Sequence, residues 1–210
     1  MRIEKLKNLV RPYYETNSDP SHDWSHILRV VSTAQLLASK EKAILDIVSA
    51  GALCHDLINL PKDHPESKMS SSLSAKEAHT PLKECGFSDE EITQIQICIV
   101  QHSFSRGIKP TTLESAIVQD ADRLDTLGSI GILRCATVCT KMNGQYYDPN
   151  DILSHHRPLD DKKFMLDHYF VKIFKLPDLM NTQAAKEEAR LRVEFMQMFI
   201  NELKREITLP

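Results

Sequence analysis

Residues 43–56 read AILDIVSAGALCHD, a run in which almost every position up to Cys54 is apolar or small before the chain turns to an imidazole and a carboxylate. A segment apolar on all sides suits a helix packed centrally in a domain, with little face left for solvent. His55 and Asp56 then stand where that helix ends, and the two prolines of residues 59–65 require a loop beyond it.

Outward from this centre, helical spacing continues in both directions. Leu6, Leu9, Val10 and Tyr13 mark a first helix, broken by the turn residues 17–21. Trp24, Ile27, Leu28, Val31, Ala34 and Ala38 give a second, with Asp23 or Ser21 as its cap and His26 on it. Residues 74–84 read as helical, although Pro81 contradicts the pattern locally.

Ser88-Asp89-Glu90-Glu91 is a capping box that launches Ile92, Ile95 and Ile99 and carries the helix to His102. A similar start at Thr111–Glu114 precedes the helix bearing Asp120, Asp122 and Asp125, and Gly128 and Gly131 allow a close crossing or a short break after it. Further helices are expected over residues 130–142, ended by Asn143-Gly144, and from Phe164 to Phe174, ended by Pro177-Asp178. A last helix capped by Thr182 should bury Leu191, Phe195, Met198, Phe199 and Leu203.

The expected fold is therefore all-α. It is a single-domain helical bundle over residues 1–210, with a motif-bearing core at about 22–126 and C-terminal helices at about 160–207 packed on it. Of the 210 residues 41% are hydrophobic, 26% are charged and only six are glycine, which leaves little material for turn-rich β architecture.

A net charge of −3 and the lack of a basic cluster speak against a duplex nucleic acid as partner. The apolar runs fall far short of the ~20 residues that cross a bilayer. Residues 1–10 lack a signal core, so a cytoplasmic protein, monomer or homodimer, is expected. The five cysteines include no C-x-x-C pair and read as buried thiols rather than a zinc site.

Two imidazoles and two carboxylates drawn from separate helices carry the chemistry. His26, His55, Asp56 and Asp122 could aim inward around one divalent ion, and mixed nitrogen and oxygen donors suit Mn, Fe, Co, Ni or Zn, and Mg less well. Alone, a His-Asp pair at a helix end is weak evidence, since an imidazole there compensates the helix dipole and His22-Asp23 repeats the dipeptide.

The surrounding motifs change that balance. The run His22-Asp23-Trp24-Ser25-His26, the pair His55-Asp56 and the stretch 119–125, QDADRLD, in that order, resemble the HD-domain metal-dependent phosphohydrolase superfamily. Residues 55–67 with Ser71-Ser72, the element His102-Ser103-Phe104-Ser105, residues 122–131, and Ala189, Arg192, Phe195 and Met196 narrow the likeness to small stand-alone bacterial HD proteins.

The resemblance implies that His26, His55, Asp56 and Asp122 bind one divalent metal, with room for a second. It also implies a metal-activated water acting on a phosphomonoester or nucleotide, a small phosphorylated substrate in either case. Lys62 and His102 are the candidates for stabilising charge in the reaction. His22, Asp125, His168, Lys172 and Arg192 are candidates for substrate binding. Some relatives carry an acid three positions after the HD aspartate, where this chain has Asn59, so the acid/base group is unassigned.

Two other readings stand beside the hydrolase. One is a regulatory protein that senses nucleotides around a structural metal without turnover. The other is a di-iron oxygenase, for which His79 and His102 would supply the extra ligands.

Overall fold

The computed structural model describes residues 1–15, 22–60, 64–103 and 106–208, all of them in helices, turns and loops. Among these residues no strand forms, and the one ladder contact is an isolated parallel bridge between Gln145 and Phe164. Among the described residues no helix is long and apolar enough to cross a membrane. The fold is all-α, and the chain clusters into two compact units, residues 1–124 and 125–210.

The first unit contains α1 (Arg2–Glu15), α2 (Trp24–Glu41), α3 (Leu45–Cys54), α4 (Ser70–Glu77), α5 (His79–Glu84), α6 (Asp89–Gln101) and α7 (Leu113–Leu124). The short helix α3 is its hub. Every residue from Ile47 to Cys54 is buried, and α3 packs against α1, α2, α6 and α7. A β-carbon at Gly51 would lie 2.9 Å from the Cys98 β-carbon on α6 and 3.3 Å from a Val118 methyl on α7, so glycine permits this close crossing.

Capping follows the sequence with two refinements. Asp23 caps α2, its carboxylate accepting the His26 N–H at 2.8 Å, and Ser88 and Glu91 form the complete capping box of α6. At α7 the reciprocal pair is Thr112 and Ser115, not Thr111 and Glu114. Glu114 instead accepts the N–H of Ile44 ahead of α3. The helix expected over residues 74–84 is two helices divided at Ala78, which puts Pro81 in the first turn of α5, where its missing N–H costs nothing.

The second unit contains α8 (Gly128–Lys141), α9 (Met165–Val171), a 3₁₀ segment (Ile173–Leu179) and α10 (Gln183–Ile207). Gly128 opens α8 with φ +68°, and a β-carbon on Gly131 would lie 2.2 Å from the Thr126 carbonyl oxygen, so the two glycines make the break that restarts the helix. The late helix ends at Val171 rather than Phe174, and Pro177 lies inside the 3₁₀ segment that follows.

The buried stripe of α10 differs from the expectation. Ala184, Ala185, Ala189, Val193, Met196 and Ile200 are buried, whereas Leu191, Phe195 and Met198 are exposed and Phe199 and Leu203 are half-buried. The helix packs by its small-residue face, which lets it lie close against α8 and the 3₁₀ segment. Within this unit Asp167, fully buried, accepts both terminal nitrogens of Arg157 at 2.5 and 3.0 Å and the N–H of Asp160 at 2.7 Å. The loop ahead of α9 is thereby tied to the helix.

Candidate metal centre

At one end of the first unit the start of α2 meets the C-terminal ends of α3, α6 and α7. His26 is the third residue of α2, His55 and Asp56 follow α3 directly, His102 follows α6, and Asp122 lies in the last turn of α7. His26 and His55 are fully buried, His102 is 6% exposed, and the Asp56 and Asp122 side chains keep 14% and 23% of their exposure.

Two helix ends use the same device to aim a histidine. The last carbonyls of a helix lack partners along the helix itself. His55 Nδ1–H donates to the Ala52 carbonyl at 2.8 Å, and His102 Nδ1–H donates to the Ile99 carbonyl at 2.6 Å. Each ring thereby satisfies an orphan acceptor three residues back and presents Nε2 to the space beyond the helix. Tyr14 adds to this at α3, its hydroxyl donating to the Leu53 carbonyl at 2.7 Å.

The donor atoms converge. His26 Nε2 and His55 Nε2 are 3.4 Å apart, and Asp122 Oδ1 lies 3.6 Å from the first and 3.9 Å from the second. Asp56 Oδ2 is 3.7 Å from His55 Nε2. Ligands held about 2.0–2.2 Å from a common ion lie about 3.0–3.6 Å from one another, so this set is at or just beyond the spacing a divalent cation would impose. The His26 and His55 Nε2 atoms are close enough to share one hydrogen bond, and imidazole and carboxylate donors together fit a divalent ion.

Asp56 is the junction of the cluster. Its Oδ2 accepts from His22 Nδ1 at 2.9 Å, and its Oδ1 faces His102 Nε2 at 3.4 Å. Three groupings of donors within 4.8 Å of one another overlap here: His22, His26 and Asp56; His26, His55 and Asp122; His55, Asp56 and His102.

The protonation of these groups follows from burial and neighbours. Burial lowers the His55 pKa to about 4, outweighing the pull of the Asp56 and Asp122 carboxylates. Burial alone would raise Asp56, but His55, His102 and His22 around it hold its carboxyl well below the usual range. For His102 burial opposes the charged ring, yet the Asp56 carboxylate prevails and the pKa is raised.

The remaining candidates divide by location. Lys62 lies outside the described residues. His79 is exposed on α5 and belongs to none of the three donor groupings, which corrects its place as a second-iron ligand. Asp120 is fully buried on α7.

In the second unit Asp125, expected to bind substrate, is buried and accepts from Arg134 at 2.8 Å. His168 faces Asp161 at 3.1 Å, Arg192 donates to Glu188 at 2.7 Å, and Lys172 stands at the end of α9. His22 is more closely engaged than a loop histidine need be. It immediately precedes the Asp23 cap and so lies outside α2, the helix that carries His26.

YpgQ of Bacillus subtilis (strain 168) is 34% identical over 197 residues, covering 91% of this chain and 87% of its own. A crystal structure of Bacillus subtilis YpgQ in complex with ADP matches with a TM-score of 0.75 and 31% identity, over 99% of this chain and 95% of that one. An HD-superfamily hydrolase of Bacillus thuringiensis matches with a TM-score of 0.78 and 32% identity, over 99% and 97%. The HD-domain sequence profile matches residues 23–127, a span that holds His26, His55, Asp56, His102 and Asp122, and the chain belongs to the HD-domain family.

Proposed function

We propose that this protein is a divalent-metal-dependent phosphohydrolase acting on a phosphomonoester or nucleotide, with His26, His55, Asp56 and Asp122 holding the ion. The observation that carries this reading is that His26, His55 and Asp122, from three helices, bring their donor atoms to within 3.4–3.9 Å of one another, with Asp56 3.7 Å from His55 beside them. An ion there would polarise a phosphoryl oxygen and acidify its water.

The protein's own residues prepare the site for that chemistry. His55 stays neutral because burial resists its protonation, so its Nε2 lone pair is available at neutral pH. Asp56 stays anionic and is fixed in orientation by His22 on one oxygen and His102 on the other, the kind of support that holds a ligand in place. Asp56 favours the charged form of His102, and a protonated ring at this edge of the cluster would suit charge developing on phosphate. The hydrolase relatives and the YpgQ complex with ADP support a phosphorylated, nucleotide-like substrate.

The test is a turnover screen of the manganese-loaded protein against nucleoside mono-, di- and triphosphates and sugar phosphates, with metal content measured on the same preparation. Phosphate release with about one ion per chain is expected, and His55→Ala should lose both metal and turnover. Tight nucleotide binding without turnover would replace the hydrolase with a sensor. Two irons per chain with oxygen consumption would replace it with an oxygenase.

A further inference from the structure

The chain leaves the metal cluster in two directions, and both return to the first turns of α4. From Asp56 it reaches Ile58, whose N–H donates to Ser74 Oγ at 3.0 Å while the Ser74 hydroxyl donates back to the Ile58 carbonyl at 3.1 Å. Two residues on, the Leu60 N–H donates to Ser70 Oγ at 3.2 Å. From His102 the chain reaches Arg106, whose Nη1 donates to Ser71 Oγ at 3.1 Å and Ser72 Oγ at 2.7 Å.

Arg106 is half-buried, and its partners are two neutral hydroxyls; among the described residues no carboxylate lies within ion-pair distance of it. A guanidinium partly removed from water is ordinarily matched by an anion, because hydroxyls orient it without compensating its charge. The cluster would not supply that charge, since the two carboxylates of the proposed ligand set would be balanced by the divalent ion they hold. Arg106 is four peptide steps from His102, which holds their α-carbons within about 14 Å of each other. Serines in contact with one terminal nitrogen fix the side chain and leave the rest of its fork for another partner.

We propose that Arg106, positioned by Ser71 and Ser72, is a binding residue for a phosphate group of the substrate. The assignment rests on the phosphorylated-substrate reading above. It adds a determinant of affinity that is separate from the metal ligands.

The experiment measures binding of ADP, supplied as its hydrolysis-resistant methylene-bridged analogue, calorimetrically to manganese-loaded protein for the wild type, Arg106→Met and Arg106→Lys, with manganese affinity and Tm measured for each. The wild type should bind ADP, Arg106→Met about 10- to 100-fold more weakly, and Arg106→Lys between them, with manganese affinity and Tm unchanged. Inorganic phosphate should show the same order. Equal ADP affinity in wild type and Arg106→Met, absence of ADP binding to the wild type, or a loss that travels with lowered Tm or manganese affinity overturns the assignment. A wild type that binds ADP through Arg106 but releases no phosphate from any substrate leaves this site standing and removes the hydrolase.

Discussion

At the scale of single residues, the cluster is built from histidines whose charge is set by opposing forces, which gives the metal-free protein a defined pH response. The lowered pKa of His55 means that the unfolded chain takes up its proton first, so stability falls as pH drops from about 6.5 toward about 4. The raised pKa of His102 acts in the other direction: its contribution is complete below about 6.5 and is lost as pH rises through the folded value. Metal-free protein should therefore be most stable near pH 6.5. Urea denaturation at pH 5, 6.5 and 8 checks this, and His55→Gln should flatten the acid limb alone; an acid limb unchanged in that variant would show that His55 is not its source.

The same residues show what a sequence can disclose about a site. His26, His55, Asp56 and Asp122 are legible because metal-binding residue types recur in a known order at helix ends. Arg106 is not, because an arginine between a serine and a glycine in a loop carries no periodic signal, and Ser71-Ser72 stood out only as part of the family likeness. Only the fold brings Arg106 to the start of α4.

At the scale of elements, the apolar runs and caps were legible, whereas the choice of face on α10 was not. That helix has two apolar faces, one with the large residues Leu191, Phe195 and Met198 and one with Ala185, Ala189, Val193, Met196 and Ile200. Hydrophobic size favours the first, and close packing selected the second, because alanines allow the neighbouring backbone to approach. Met196→Ala should accordingly cost about 2–5 kcal/mol by leaving a cavity, whereas Leu191→Ala and Met198→Ala should each stay within about 0.5 kcal/mol of the parent. Denaturation midpoints at constant slope provide the comparison, and the reverse ranking would mean that the large-residue face is covered in solution.

The reach of a helix's influence is also visible at α3. Its ten residues are buried almost throughout because four other helices surround it, and that enclosure places the following His-Asp pair at a depth that a surface loop could not provide. The sequence disclosed the buried helix through its composition, but the role of Gly51 in admitting α6 and α7 depends on which helices cross there.

At the scale of the whole molecule, the all-α class was readable from periodicity and the scarcity of glycine, while the number of cooperative parts was not. The two compact units meet in the chain between Leu124 and Asp125, inside the motif 122–125, and the family profile runs past that point to residue 127. We propose that residues 1–210 nevertheless unfold as one domain, and metal linkage provides the test. Ligand binding to the folded state at about 100 times Kd stabilises it by about 2.7 kcal/mol. For a chain of this size that corresponds to a rise in Tm of roughly 5–10 °C.

Calorimetry with saturating manganese should then show a single transition displaced upward as a whole, and His55→Ala should remove the displacement without splitting the peak. Two transitions, of which manganese moves only one, would make the units independent and assign the ion to residues 1–124 alone, because every donor of the cluster lies in that part of the chain.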